Sequence, residues 1–183
     1  MTTTQSTAVT TSLPFGACLR FFWDMDGVLY DFGSLFAQHM PGIDMEDDSA
    51  WTWQELHAKC PNIYLDGKEV PGIRSPWQYS QLFGMVIVLT AVPRRWSWPN
   101  VTAHKREWMK KTFGVHHSQV RFGPYAEDKQ FHCEYSTDVL IDDRIRNIEQ
   151  WRARGGQAIH HVSPEQTRIE LQKLVRSSGA VAV

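Results

Sequence analysis

Short apolar runs divide the chain and predict its sheet. Leu19-Arg20-Phe21-Phe22-Trp23, Met85-Val86-Ile87-Val88-Leu89 and Asp138-Val139-Leu140-Ile141 read as strands covered on both faces. Gln119 to Phe122 and Gln157 to His161 read as two further short strands. The stretches between them carry helical signals. Asn100 stands where a cap would start a helix running to Phe113, and Gly114 supplies the stop. Ile145, Ile148 and Trp151 form an apolar helix stripe that ends at Gly155-Gly156. Ser163-Pro164-Glu165-Gln166 combines a cap residue, a first-turn proline and a capping-box glutamine ahead of a helix through Leu171 and Leu174. Strands alternating with helices predict an α/β fold with a mostly parallel sheet and helices on both faces.

One stretch departs from this alternation. Phe32 to His39 predicts a helix that Pro41-Gly42 breaks, and Ser49 predicts the cap of a second helix over Ala50 to Lys59. Pro71-Gly72 then returns the chain to the core, where a short helix around Trp77 to Phe83 leads into the second strand. Residues 33–70 are therefore expected to form a small, mainly helical cap insertion. Residues 18–32 and 71–183 form the core, and the polar residues 1–17 a mobile tail.

Composition narrows the partners. The 183 residues suffice for one α/β core and a small insertion. A balance of 19 basic and 20 acidic residues, net −1, offers no electrostatic footprint for nucleic acid, and no apolar run reaches membrane-spanning length. Cys18, Cys60 and Cys133 have no metal-ligand spacing, and their odd number fits reduced thiols in a cytoplasmic compartment. Residues 1–12 lack the features of a signal or transit peptide. No oligomeric state is selected; a homodimer is compatible with the sequence.

The chemistry sits where strands end. Asp24-Met25-Asp26-Gly27 follows the first strand directly, at the sheet edge where α/β proteins bind ligands. Alternation along the backbone lets Asp24 and Asp26 face one side, and Gly27 lets the chain turn away. Two like charges this close need a cation or a proton, so the arrangement points to a divalent metal and phosphate chemistry. The plainer alternative is an acidic turn. Three further elements weigh against it: Thr90 ends the second strand, Asp142-Asp143 end the third, and Lys129 lies between them.

This order, Asp-x-Asp, Thr, Lys, Asp-Asp, resembles the haloacid dehalogenase-like phosphohydrolases. Within them, Asp24-Met25-Asp26-Gly27-Val28-Leu29-Tyr30-Asp31-Phe32 and Leu140-Ile141-Asp142-Asp143-Arg144 are similar to the 5'(3')-deoxyribonucleotidases. Lys105-Arg106-Glu107-Trp108 with Phe113-Gly114, and the pair Asp128-Lys129, extend the likeness across roughly residues 18 to 145. Thr90-Ala91-Val92-Pro93 stands where that family often has Thr-Ser-Pro, and Glu127 where it has Arg, so base and sugar preference do not carry over.

The resemblance implies a Rossmann-like core, Mg²⁺ as cofactor and a small-molecule nucleotide as substrate. It makes Asp24 the nucleophile that forms an aspartyl-phosphate, and Asp26 the acid and base that also offers a carbonyl to the metal. It gives Asp143 the distal metal position and Asp142 the orienting of metal-bound water, an order that the residues alone leave open. Thr90, the backbone at Ala91, and Lys129 would hold the phosphate, and Lys105 matches a lysine near it. Phe32 matches a residue that packs on the nucleotide; Trp51, Trp53 and Tyr64 of the insertion could stack on a base or simply pack the insertion against the core. The expected activity is hydrolysis of (deoxy)ribonucleoside 5'-monophosphates. The alternatives are another small phosphate ester, a nucleic-acid 3'-phosphate end, or a catalytically silent binding protein.

Overall fold

The computed structural model describes residues 19–94 and 98–182. The polar tail expected over 1–17, Cys18 and Arg95 lie outside them. The elements run β1 (Leu19–Trp23), α1 (Phe32–His39), α2 (Ala50–Lys59), α3 (Ile63–Asp66), α4 (Arg74–Gln81), β2 (Gly84–Thr90) and α5 (Val101–Phe113). They continue with β3 (Val120–Phe122), β4 (Asp138–Asp142), α6 (Ile145–Ala153), β5 (Gln157–His160) and α7 (Pro164–Ser178). A 3-10 segment, Ala126–His132, carries Lys129 between β3 and β4.

All five strands are parallel, in the order β3-β2-β1-β4-β5. Alternation sorts the strand residues between two faces. Phe21, Trp23, Val86, Val88, Val139 and Ile141 pack with Trp77 of α4, Trp108 and Met109 of α5 and Leu171 of α7. Phe22, Ile87, Leu89 and Leu140 pack with Ile148 and Trp151 of α6. Helices therefore cover both faces, which is why these strands read as continuous apolar runs. Burying one such side chain is worth about 1.5–3 kcal/mol.

Several local signals resolve differently from their sequence reading. In α6 the buried stripe is Asn147, Ile148 and Trp151, while Ile145 is 52% exposed. At about 100° per residue, Asn147, Ile148 and Trp151 cluster on one face, and Ile145, the first residue of the helix, lies well to the side of it. Asn100 precedes α5 in a left-handed conformation without a side-chain cap bond. Gly114 does stop that helix, with φ 69°. At α7, Ser163 accepts from Gln166 N–H at 3.2 Å, and Pro164 opens the helix.

The chain between β1 and β2 is fastened to the core at its return. Trp108 Nε1 donates to Gly67 O at 2.9 Å, the Tyr30 hydroxyl donates to Ile63 O, and Val70 N–H donates to Leu29 O at 3.0 Å. At its outset Asp31 caps α1 through Ser34 N–H, and Ser49 caps α2 through Thr52 N–H. Among the described residues, no helix is long and apolar enough to cross a membrane.

Candidate active site

The strand order reverses at β1, which lies between β2 and β4. Such a reversal leaves a crevice beyond the carboxyl ends of the strands. Register places the sequence motifs there. Trp23 pairs with Ile141 on one side and Val88 on the other, so Asp24 and Asp142 leave adjacent strand ends. The backbone N–H of Asp24 donates to Ile141 O at 2.9 Å and locks that step.

Lys129 joins the two motifs. Its buried ammonium donates to Asp24 Oδ1 at 2.6 Å and Asp142 Oδ2 at 2.7 Å. Burial would lower its pKa, but Asp142 and Asp24 outweigh burial and hold it above the ordinary lysine value. The described residues thereby use two of its three protons, which leaves one to offer a ligand. Asp24 Oδ1 also accepts the Met25 N–H at 2.7 Å, whereas Asp24 Oδ2 receives no hydrogen bond from the described residues. Asp142 is held from every side, by Lys129, by Arg144 N–H at 2.9 Å, and by Asn147 Nδ2 at 2.9 and 3.0 Å.

Asp143 is held differently. Its carboxylate lies directly against Gly27, whose φ is 79°. Burial first, and then Asp142, push its pKa up to about 6, against the pull of Lys129 and Arg144. Asp24 is also raised well above the carboxylate range, by burial first, with Asp142, Asp143 and Asp26 adding to it and Lys129 opposing. Oxygen atoms of Asp24, Asp142 and Asp143 lie within 4.8 Å of one another. Three buried or half-buried carboxylates face one buried ammonium, an imbalance that a hard divalent cation with oxygen ligands would relieve. The donor set fits Mg²⁺.

Asp26 belongs to a second cluster. Its Oδ2 accepts from Lys105 Nζ, while its buried Oδ1 has no hydrogen-bond partner among the described residues. Lys105 is 0% exposed and also donates to Thr90 Oγ1 at 2.9 Å and Ala91 O at 2.8 Å. The Tyr64 ring covers this ammonium, with its centroid 4.5 Å from Nζ. Asp26, Thr90, Ala91 and Lys105 thus converge beside the Asp24 and Lys129 group.

The aromatic candidates separate. Phe32 and Tyr64 are buried and stacked, with centroids 6.0 Å apart at 11°. Trp53 is partly buried, 6.2 Å from Phe32, and its Nε1 donates to Asp48 at 2.7 Å. Trp51 is 55% exposed. Trp98 joins the Phe32 and Tyr64 group, edge-on to Tyr64 at 5.5 Å and 4.6 Å from His57, with a buried Nε1 that has no partner among the described residues. At the rim, Arg144 reaches Glu46, which precedes α2, at 3.6 Å, and Arg94 pairs with Glu127 and covers Tyr125.

Asn147 and Trp98 were not among the residues that the sequence singled out, and Arg144 entered only as the last residue of the Leu140 to Arg144 motif, without a role. Asn147 had a signal: it is a polar residue one turn before the buried Trp151. Trp98 had none, since only the fold brings the loop after β2 to Tyr64.

No protein-family model matches the sequence. No curated protein matches it either. Solved structures do. A hydrolase from Streptococcus pneumoniae TIGR4 superposes with a TM-score of 0.56 at 15% identity, covering 85% of this chain and 98% of its own. A haloacid dehalogenase-like hydrolase from Xanthomonas campestris gives 0.54 at 11% identity, covering 89% and 94%. A hydrolase of that family from Deinococcus radiodurans R1, solved with bound phosphate and sodium, gives 0.53 at 10% identity, covering 88% and 96%. At these identities the likeness concerns architecture, and the chain has the α/β fold that the haloacid dehalogenase-like hydrolases share.

Proposed function

We propose that this protein is a Mg²⁺-dependent phosphatase that hydrolyses (deoxy)ribonucleoside 5'-monophosphates through an aspartyl-phosphate. The observation that carries the reading is the convergence of Asp24, Asp142 and Asp143 within 4.8 Å, with Lys129 bridging the first two. The Deinococcus neighbour was solved with bound phosphate and sodium, which supports a reading in which this chain takes a phosphate together with a cation.

Asp24, Asp143 and the Asp26 backbone carbonyl would hold the metal, and Asp142 would orient its water. When bound, Mg²⁺ supplies charge neutralisation and alignment that offset the repulsion between a carboxylate and a phosphate dianion. The residues supply the rest. Asp24 Oδ2, which accepts no hydrogen bond, attacks phosphorus while Oδ1 stays fixed by Met25 N–H and Lys129. The bond from phosphorus to the ester oxygen breaks, and its electron pair leaves with that oxygen. Asp26 Oδ1, unpartnered and buried, delivers the proton that the leaving oxygen takes. Asp26 then takes a proton from the water that attacks the aspartyl-phosphate, which releases phosphate and restores Asp24. The free Lys129 proton and the Thr90 hydroxyl, whose oxygen already accepts from Lys105, hold the transferring oxygens.

Phe32, Tyr64, Trp53 and Trp51 support a nucleotide over a bare sugar phosphate, because the first two sit beside the Lys105 cluster and every base has a stackable face. The test is phosphate release from a panel of ribo- and deoxyribonucleoside monophosphates and sugar phosphates, with Mg²⁺ and with excess chelator. Turnover of 5'-nucleotides that chelator abolishes is expected. Full turnover in chelator would remove the metal-assisted mechanism, and preference for sugar phosphates would remove the nucleotide assignment.

A further inference from the structure

Two lysines serve this site, and their hydrogen bonds differ in a way that separates their work. An ammonium group has three protons. Lys129 places two on Asp24 and Asp142 and keeps one. Lys105 places all three, on Asp26 Oδ2, Thr90 Oγ1 and Ala91 O. Its remaining flank is covered by the Tyr64 ring at 4.5 Å, and the residue has no exposed surface. A phosphate oxygen can reach Lys105 only by breaking one of these bonds inside a closed pocket, where an unpaired acceptor costs more than in water.

We propose that Lys105 is a positioning residue that does not touch the phosphate: it holds the carboxylate of Asp26 and the hydroxyl of Thr90 in one fixed relation. This rests on the reading of Asp26 as the acid and base. Lys105 occupies Oδ2, and the buried Oδ1 has no hydrogen-bond partner among the described residues, so the two oxygens of Asp26 are held in different states. By donating to Thr90 Oγ1, Lys105 fixes the position of the hydroxyl oxygen, whose own proton has only a long contact, 3.5 Å, to Ala91 O. Three acceptors from the ends of β1 and β2 thus meet on one side chain from α5, tying the proton-transfer group to the phosphate cradle. The sequence resemblance, in contrast, places this lysine at the phosphate.

The distinction can be read from leaving-group dependence. A nucleoside 5'-oxygen needs a proton to depart, whereas p-nitrophenolate leaves without one. With Mg²⁺ present, Lys105→Met is expected to lower turnover of a nucleoside monophosphate by about 100-fold or more, and of p-nitrophenyl phosphate by less than about tenfold. Competitive inhibition by inorganic phosphate should stay within about threefold of the unaltered protein, since loss of a direct charged hydrogen bond would weaken it by at least about tenfold. Equal losses on both esters together with weakened phosphate inhibition would overturn the positioning role.

Removing a buried charge can unfold a protein, so a second comparison is needed. In Asp26→Asn/Lys105→Met both members of the pair are neutral, a change that a core tolerates far better than the loss of one member. If Lys105 acts through Asp26, this double variant turns over nucleotide within about threefold of Asp26→Asn alone. A further loss of about tenfold or more accompanied by weakened phosphate inhibition would show a separate contact with substrate and overturn the proposal, whereas a further loss with phosphate inhibition unchanged is the share that acts through Thr90. Should the unaltered protein hydrolyse neither ester, the phosphatase reading itself falls, and the positioning role falls with it. Hydrolysis of both by the unaltered protein makes failure of the Lys105 comparisons a failure of this inference alone.

Discussion

Gly27 and Asp143, 116 residues apart, are in direct contact: any side chain on Gly27 would occupy the space that the Asp143 carboxylate fills. Gly27 also has φ 79°, a left-handed conformation that L side chains rarely adopt. The two demands fall on one residue because the turn after β1 must both leave the sheet and pass beneath the end of β4.

Gly27→Ala is therefore expected to do more than strain a turn. The backbone cost is about 1 kcal/mol, but the methyl group must also displace Asp143 from the carboxylate cluster. The expected outcome is a modest fall in melting temperature with a large loss of Mg²⁺ affinity and activity. Titration calorimetry with Mg²⁺ alone checks this; unchanged affinity would show that Asp143 is not needed at the metal.

The raised pKa of Asp143 has a consequence for stability. Its folded value of about 6 lies above the ordinary 3.8, so between those values the metal-free native state binds more protons than the unfolded chain. This group's contribution to stability therefore falls as pH rises through that window, and Asp24 shifts in the same direction. A cation binding the ionised cluster offsets the loss. Saturating Mg²⁺ should raise the melting temperature more at about pH 7.5 than at about pH 5, with proton release on binding near pH 6. A Mg²⁺ effect independent of pH would count against the cluster as the binding site.

Asn147 donates to both oxygens of Asp142, which Lys129 and Arg144 N–H also hold. Asn147→Leu keeps the volume and removes the amide. Partners that orient a metal site typically matter about 10–100-fold in affinity or activity, and that is the loss expected here. Stability should fall by only about 1–3 kcal/mol, as for one lost buried polar partner. Urea unfolding and Mg²⁺ titration separate the two; a loss of stability alone would reduce Asn147 to a helix-packing role.

The strands and most helices were legible because burial on both sheet faces leaves apolar runs, as in Met85 to Leu89, that few other environments produce. The strand-end aspartates were legible for a related reason: charge directly after a buried run has few structural uses. What stayed hidden depends on distant pairing. Lys105 is a lysine on a helix, and its sequence neighbours say nothing of its enclosure by Asp26, Thr90 and Tyr64. Trp98 is one of eight tryptophans until the loop after β2 is seen folded against α3. Asn100 looked like a helix cap but has a left-handed backbone and no side-chain cap bond.

The aromatic residues give the sharpest test of substrate class, because burial divides them. Tyr64 packs against Phe32, Tyr30 and Trp98, so Tyr64→Ala opens a cavity and should cost about 3–5 kcal/mol of stability, lowering activity on every ester alike. Trp51 is 55% exposed, so Trp51→Ala should change stability by no more than about 0.5 kcal/mol. If its ring meets a base when substrate binds, a stacking loss of about 1–3 kcal/mol raises the Michaelis constant for nucleotides about five- to more than a hundredfold and leaves p-nitrophenyl phosphate unaffected. Trp53 is intermediate: partly buried, hydrogen-bonded to Asp48 and close to Phe32, it should show a stability loss and a nucleotide-selective effect together. Phe32 is buried, so a truncation would also open a cavity and Phe32→Leu is the useful variant, keeping the core largely filled while removing the π-face. A nucleotide-selective rise with Phe32→Leu and none with Trp51→Ala would put the base between the insertion and the core. Equal kinetic effects of all four changes on nucleotide and p-nitrophenyl phosphate would mean that the rings only pack the insertion, and that the natural ester carries no base.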